Sequence, residues 1–542
     1  MRGTFMISAV SSRLPTAVHV ITLLLWSILP SSGSAGTETV AFKQAVAEAA
    51  AQDQDIAAFY RETGYDAIWT GTSGRERNRR AALIDALAAA DDHGLPSERY
   101  GLGALEQKMK TARTPRDLGL VEVAMSRAFL QYARDIQTGA LVPSRVDKNI
   151  VRQVPYRDRK SYLTNFAKSS PKGFFKALPP QTGEYNALMK QKLVLEGLVA
   201  KGGWGPTVKA KKLEPGDQGA SVVALRDRLI RMGYLKRSAA STYDAAMTAA
   251  VVRFQADHGL AQDGIVGRGT LAEINTSVRK RLQAVIVAME RERWVNKERG
   301  TRHIEVNLTD FTAKIIDKGK VTFSTRSVIG ARDAKRQSPE FSDVMEFMVI
   351  NPSWFVPRSI ATGEYLPELQ QDPNAVNHLI ITDRSGRQID RANVDFTKYT
   401  ERTFPYAMRQ PPSRSNALGL VKFMFPNKYN IYLHDTPAKN LFGRETRAYS
   451  HGCIRLADPF EFAYALLAKQ SGDPEGLFQK TLATGKETQL NLKKPVPVHI
   501  IYRTAVADSK GRIQYRRDVY GRDGRIWEAL SQAGVALRGV QG

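Results

Sequence analysis

Cysteine is almost absent from this sequence: Cys453 is the only one in 542 residues. A single cysteine cannot form an intramolecular disulfide, and it excludes zinc sites built from pairs of cysteines. Long hydrophobic runs are missing too, because the most apolar stretch, residues 17–29, is shorter than the roughly 20 residues that a membrane-spanning helix needs. The sequence also lacks the motifs of nucleic-acid-binding modules, so we expect no nucleic acid as a partner.

Acidic residues are in deficit. The 54 Asp and Glu residues stand against 79 Lys and Arg residues, which gives a formal net charge of +25. This excess indicates an anionic neighbour, such as a membrane surface or an acidic polymer, although basic residues spread over a solvated surface give the same count. The apolar fraction of 42% supports ordinary hydrophobic cores, and the length predicts about two to four domains.

The N-terminus has the parts of a secretory signal. Arg2 and Arg13 precede the apolar run, and the small residues of PSSGSAG follow it, with Ala35 suited to the cleavage site. We therefore predict a signal peptide over residues 1–35 and a periplasmic or cell-envelope location, with an uncleaved N-terminal membrane anchor as the alternative. In an oxidising compartment, an unpaired cysteine is either a reactive group or an intermolecular partner.

The pattern of apolar residues predicts an α+β, multi-domain protein. Residues 36–205 show apolar residues at helical spacing, as at Val121, Ala124, Phe129, Tyr132 and Ile136, and predict a helical scaffold. After a Gly- and Pro-rich stretch, residues 213–276 predict three short helices, with His258 on a helix surface. Residues 300–485 alternate as strands do and predict a mostly-β domain, with a cap insertion at about 360–415. Residues 486–542 are predicted to be a C-terminal extension of that domain.

The segment YSHGCIRLADPFEFA, residues 449–463, contains the lone cysteine. His451 lies two residues before Cys453, and His434 lies at the end of a predicted strand. Either histidine could serve as the base that activates the thiol, since spacing alone does not choose between them. The N–H groups around Gly452 and Cys453 are candidate oxyanion donors. A small buried apolar residue is the usual role of a lone cysteine, but export and the flanking histidines favour a nucleophile.

Two parts of the chain resemble known families. The unit at 213–276 resembles a peptidoglycan-binding domain, through Gly219, Val222, Leu225, Gly233-Tyr234, Phe254-Gln255, Gly259-Leu260, Asp263-Gly264, Gly267 and Thr270-Leu271. YNIYLHDTP (429–437) and SHGCIRL (450–456) resemble the signature of L,D-transpeptidases with a YkuD-type catalytic domain. Residues 351–361 and 416–427 also match its large, multi-domain branch. The family consists of exported enzymes that cross-link bacterial peptidoglycan.

The resemblance implies a role for each site residue. Cys453 would be the nucleophile and His434 the general base, Ser450 and His451 would shape the pocket, and Arg455 would hold the loop or the substrate. The implied reaction forms a thioester on Cys453, releases D-alanine from a donor tetrapeptide stem and gives a 3→3 cross-link, without cofactor or metal. The acceptor amine would come from a second stem or from an envelope protein, and carbapenems would acylate the same thiol. Ser338 stands where the family commonly has threonine, and Pro412-Ser413 where it has Pro-Gly.

Three other functions remain open at this point. A carboxypeptidase or thiol peptidase would use the same residues with water as the acceptor. A non-catalytic peptidoglycan-binding protein would rely on the helical unit alone. A dimer linked through Cys453 would show as a reducible band on a gel.

Overall fold

The computed structural model describes residues 33–295, 298–508 and 510–537. The predicted signal segment therefore lies almost wholly outside the described residues. Within these ranges, no helix combines the length and apolarity needed to cross a membrane. In the same ranges, no group of three or more His, Cys, Asp and Glu side chains is placed to hold a metal ion.

The N-terminal region is helical, as predicted. Its longest helix opens with a capping box in which Thr114 and Asp117 satisfy each other's backbone N–H groups, and it stops at Gly139. The rings of Trp69, Phe129 and Phe166 pack together at its centre. The helices are α1 (Gly33–Ala50), α2 (Gln54–Glu62), α3 (Gly74–Ala88), α4 (Leu102–Thr111), α5 (Pro115–Thr138), α6 (Pro143–Val146), α7 (Arg159–Lys168), α8 (Pro171–Ala177) and α9 (Gly183–Ala200).

Three short helices with their own apolar core follow: α10 (Ala220–Arg231), α11 (Ala245–Asp257) and α12 (Arg268–Ile274). The prediction for His258 is wrong. Its ring is buried, stacks on Phe254 at 3.8 Å between centroids, and faces Tyr515 of the C-terminal region at 5.6 Å. A helix-end position that looks exposed in sequence is covered here by a distant part of the chain.

A buried helix, α13 (Val278–Trp294), leads into the β region. Nine strands form one sheet in the order β10-β3-β11-β9-β8-β4-β12-β1-β2, and β2 also pairs with β3. This last pairing closes eight of the strands into a barrel, which leaves β10 as an added edge. The strands are β1 (Arg302–Asn307), β2 (Thr312–Asp317), β3 (Lys320–Gly330), β4 (Phe341–Ile350), β8 (Val421–Met424), β9 (Leu433–His434), β10 (Ala448–Ser450), β11 (Ile454–Leu456) and β12 (Thr488–Ile501).

A second, three-stranded sheet stands apart from the barrel, in the order β5-β7-β6. Its strands are β5 (Trp354–Phe355), β6 (Ile380–Thr382) and β7 (Ala407–Gln410), with helices α14 (Arg358–Ile360) and α15 (Leu366–Gln371) between β5 and β6. These elements enclose a small apolar core of their own, which includes Leu369, Ile381 and Phe404. We call residues 354–410 the cap.

The C-terminal part completes the barrel. Strand β12 lies between β4 and β1, although it falls in the predicted extension 486–542. Helix α16 (Pro459–Leu467) opens at Asp458-Pro459 as the sequence predicts, and α17 (Pro474–Ala483), β13 (Ala505–Ala507), β14 (Ile513–Tyr515) and α18 (Arg522–Gln532) follow. The predicted α+β, multi-domain class is confirmed.

Candidate active site

Two short parallel strands bring the cysteine segment to the histidine segment. In the pairing of β11 with β9, Ile454 lies opposite Leu433, and Arg455 lies opposite His434. Ile454 and Leu433 are buried in the barrel core. Because alternate residues of a strand share a face, Cys453, Arg455 and His434 lie on the other face, together with Tyr432.

The Cys453 thiol is half-buried and hydrogen-bonded. Its sulfur donates to the carbonyl of Asn430 at 3.4 Å, and the Tyr432 hydroxyl is also bonded to it. Burial raises the pKa of Cys453 to about 11, against the lowering effect of Tyr432 and of the charge on Arg455. The sulfur is therefore a protonated thiol at neutral pH, and it needs a base when it attacks.

The His434 imidazole is buried and neutral. Burial, followed by the positive charge of Arg455, lowers the pKa of His434 to about 3, although the carbonyls of Asp435 and Leu418 act in the opposite direction. Nδ1 is 2.5 Å from the Asp435 carbonyl oxygen, which can only accept, so Nδ1 carries the proton. That tautomer leaves a lone pair on Nε2, as a general base requires.

The Ser450 hydroxyl fixes the backbone of residues 450–453, which we call the cysteine loop. It accepts from the Gly452 N–H at 3.1 Å and donates to the Cys453 carbonyl at 2.5 Å. The Gly452 N–H is thereby occupied, contrary to the expectation that it would be free as an oxyanion donor. The Cys453 N–H donates no hydrogen bond to any residue that the structure describes, and it remains the candidate donor.

The structure separates the two candidate histidines. His451 is half-exposed, and its Nε2 lies 2.6 Å from the Glu364 carboxylate of the cap. His434 lies on the sheet face that carries the cysteine, and its ring centroid is 5.6 Å from that of Tyr432. The geometry therefore favours His434 as the base and makes His451 a contact between the cysteine loop and the cap.

Arg455 supplies the local positive charge. Its Nε is buried without a hydrogen-bond partner among the described residues. Burial lowers the pKa of this guanidinium. Its charge lowers the pKa of both Cys453 and His434.

Sequence reasoning missed two residues of this site. Tyr432 could have been found, since it precedes His434 by two residues in an extended segment and so shares its face. Glu364 carries no such signal, because only the folded cap brings it to His451, 87 positions away.

A groove of about 420 Å³ is bounded by residues 151–153, the end of α13, the start of β4 and residues 427–429. Its walls carry Arg152 and Lys428, the carboxylate of Asp343 and the rings of Phe341 and Tyr429. Tyr429 directly precedes Asn430, whose carbonyl accepts from the thiol. The groove therefore combines charged and aromatic groups, and it ends one residue before Asn430.

Three family profiles match separate parts of the chain. Residues 301–498 match the YkuD L,D-transpeptidase catalytic domain, 218–274 match the "Putative peptidoglycan binding domain", and 54–191 match the scaffold domain. The chain thus carries a YkuD L,D-transpeptidase catalytic domain, a peptidoglycan-binding domain and a scaffold domain, which confirms the resemblance drawn from its motifs.

A relative and two solved structures are similar to the chain. A Haemophilus influenzae protein named "Putative L,D-transpeptidase" is 32% identical over 225 residues, which are 41% of this chain and 45% of the relative. An L,D-transpeptidase from Xylanimonas cellulosilytica is 15% identical and covers 55% of this chain and 100% of its own, with a TM-score of 0.17. One from Stackebrandtia nassauensis is 15% identical and covers 55% and 97%, with a TM-score of 0.21. The domain assignment rests on the three family profiles.

Proposed function

We propose that this protein is an L,D-transpeptidase that joins peptidoglycan stem peptides through a thioester on Cys453. The observation that carries the proposal is the parallel pairing of β11 with β9. Within a YkuD domain, this pairing brings a neutral histidine and the lone thiol to one face of the barrel.

The first half of the reaction acylates the enzyme. Cys453 Sγ attacks the carbonyl carbon between the diamino acid at the third position of the donor stem and its terminal D-alanine. His434 Nε2 takes the thiol proton, and the Cys453 N–H stabilises the oxyanion. The C–N bond then breaks, His434 returns the proton to the departing amine, and a thioester remains.

The second half transfers the acyl group. The side-chain amine of a second stem attacks the thioester carbonyl, and His434 takes a proton from that amine. The C–S bond breaks, the sulfur is reprotonated, and the new amide is a 3→3 cross-link. An envelope-protein amine would follow the same steps as a second stem.

Charge and shape support an anionic peptide as the substrate. Stem peptides carry both carboxylates and amines, and the groove that ends at Tyr429 is lined by Arg152, Lys428 and Asp343. The peptidoglycan-binding domain and the net charge of +25 would hold the protein on the same anionic polymer. We accordingly infer a periplasmic or cell-envelope location, with export through the N-terminal signal and at most an N-terminal anchor.

The test uses the purified protein, a disaccharide-tetrapeptide that contains diaminopimelate, and mass spectrometry of the products. We expect a cross-linked dimer that has lost one D-alanine, a thioester adduct on Cys453, and neither of them with Cys453→Ala. With His434→Ala the rate should fall about 100-fold or more, since general bases contribute about 10²–10⁴-fold.

Other results would point to the remaining functions. Tripeptide without dimer would indicate a carboxypeptidase that passes the acyl group to water. Binding to intact sacculi with no turnover would indicate a non-catalytic peptidoglycan-binding protein. A dimer that dissociates only under reduction would show Cys453 to be an intermolecular linker.

A further inference from the structure

The carbonyl group of Gly452 is held from inside the protein by a residue far away in sequence. Ser338 is fully buried, and its Oγ donates to the Gly452 carbonyl oxygen at 2.6 Å. The same Oγ accepts from the Gly330 N–H at 3.0 Å, at the end of strand β3. This hydroxyl therefore ties the cysteine loop to the barrel.

The hydrogen bond from Ser338 to the Gly452 carbonyl also determines where the Cys453 N–H points. The peptide group that joins Gly452 to Cys453 is planar, and in a trans peptide the carbonyl and the N–H point in opposite directions. With the carbonyl turned inward onto Ser338, the Cys453 N–H is turned away from the interior. That N–H donates no bond to any residue in the described part of the chain.

The conformation of Gly452 needs such support. Its φ of +117° is one that residues with a side chain rarely adopt, and an added Cβ would lie 3.1 Å from the Ile431 side chain. Glycine reaches this conformation freely, but it also leaves it freely. Ser450 holds the Gly452 N–H and the Cys453 carbonyl, so the carbonyl of Gly452 depends on Ser338.

Ser338 is itself clamped from the opposite side. Arg522 of helix α18 donates to the Ser338 carbonyl at 2.8 Å and to the Glu340 carboxylate at 3.1 Å. Arg291 of helix α13 donates to the same carboxylate at 2.7 Å. Removing one partner of a buried, hydrogen-bonded ion pair is costly, so these contacts fix the backbone of residues 338–340. Ser338 therefore has a fixed position.

We propose that Ser338 is a positioning residue for acyl transfer: its hydroxyl aims the Cys453 N–H at the oxyanion formed when the thiol attacks a carbonyl. The proposal rests on the proposed function, because only carbonyl chemistry produces such an oxyanion. Loss of the hydroxyl leaves the Gly452 carbonyl without its buried donor, and the peptide is then free to rotate.

The experiment compares two reactions of the same thiol in the full protein. Acylation by the tetrapeptide passes through an oxyanion, whereas alkylation by iodoacetamide displaces iodide at a saturated carbon and forms none. We expect Ser338→Ala to slow acylation about 10- to 100-fold, below the cost of about 10²–10³-fold for deleting an oxyanion donor outright. Alkylation should stay within about twofold of wild type.

The chain offers a matched control in Ser327. This serine is also fully buried in strand β3, but its hydroxyl has no hydrogen-bond partner among the described residues. Ser327→Ala should leave both reactions at the wild-type rate. Ser338→Thr keeps a hydroxyl and should restore acylation, whereas Ser338→Val has the same shape without it and should not. This isosteric pair tests the hydroxyl even if the alanine variant does not fold.

The outcomes separate the two hypotheses. If the wild-type protein forms no acyl-enzyme with the tetrapeptide, the proposed function itself is contradicted. If wild type is acylated and Ser338→Ala or Ser338→Val is acylated equally fast, the positioning role is overturned. An equal loss of acylation and alkylation in those variants would also overturn it, since a general disturbance of the loop would then explain the result.

Discussion

The pKa values of Cys453 and His434 are shifted in opposite directions from their ordinary values. Burial raises the pKa of the thiol to about 11 and lowers the pKa of the imidazole to about 3. The free protein therefore contains a neutral pair at pH 7 and not a thiolate with an imidazolium. In the proposed reaction, proton transfer therefore accompanies the attack on the carbonyl, and His434 Nε2 would accept the proton, since Nδ1 is bonded to the Asp435 carbonyl.

This charge state predicts the pH dependence of thiol alkylation. Only the thiolate reacts with iodoacetamide. The alkylation rate of Cys453 should therefore keep rising above the pH of about 8.5 near which the rate of an ordinary cysteine levels off. Mass spectrometry of Cys453 labelling from pH 6 to 11 measures the profile directly. Cys453 is the only thiol in the sequence, so the signal is unambiguous.

Tyr432→Phe is the matched variant for that measurement. The Tyr432 hydroxyl lowers the thiol pKa, so its removal should shift the profile to still higher pH and slow labelling at pH 9. A profile that levels off below pH 7 in the wild type would contradict this reading and indicate a stable thiolate.

At the scale of elements, the cap contacts the cysteine loop through Glu364 and His451. Glu364, between α14 and α15, contacts His451 directly before the Gly452-Cys453 peptide. Both side chains are partly exposed, at 44% and 33%, so the pair is worth at most about 1 kcal/mol. The pair therefore adds little to the stability of the fold, and what it does is hold the cap against the cysteine loop.

Glu364→Gln should weaken this contact and leave the protein folded. We expect the ratio of tripeptide to cross-linked dimer to rise about two- to fivefold, because water reaches the thioester more easily when the cap is loose. The rise is no larger than this because an exposed pair is worth at most about 1 kcal/mol. Product analysis by mass spectrometry gives that ratio. Glu368→Gln, on the exposed surface of α15, is the control and should leave the ratio unchanged, and an unchanged ratio with Glu364→Gln would argue against the cap contact.

For the whole molecule, buried neutral histidines couple stability to pH. Burial is the main cause that lowers the pKa of His93 and of His499 to about 4, and that of His434 to about 3. Below about pH 6.5 the unfolded chain binds protons at these positions and the folded chain does not, so the free energy of unfolding falls as the pH falls. Burial of Asp523, whose pKa is raised to about 6, acts in the opposite direction over part of that range.

We expect urea unfolding at pH 5 to require less denaturant than at pH 7. Each of the three histidines contributes about 2 kcal/mol of loss at pH 5, and Asp523 returns about 1 kcal/mol. His499→Gln should reduce the difference between the two pH values, whereas His378→Gln, at an exposed position, should not. Equal midpoints at pH 5 and pH 7 would contradict the assignment of these histidines as neutral in the folded protein.

The local signals in the sequence determined much of this protein. Helical spacing predicted the scaffold and the three-helix unit, strand alternation predicted the β domain, and Asp458-Pro459 marked the start of α16. The motif around Cys453 identified the catalytic domain through its resemblance to the signature of YkuD-type L,D-transpeptidases. Each of these signals depends on residues within a few positions of one another.

The tertiary structure decided which groups meet. Strand β9 has two residues and β11 has three, too few for alternation to predict their pairing, yet that pairing brings His434 to the cysteine segment. Ser338 reaches Gly452 across 114 positions and Glu364 reaches His451 across 87. His258 is buried by a distant segment for the same reason. Contacts of this kind depend on how the barrel closes and how the cap folds, and no pattern of neighbouring residues records either of them.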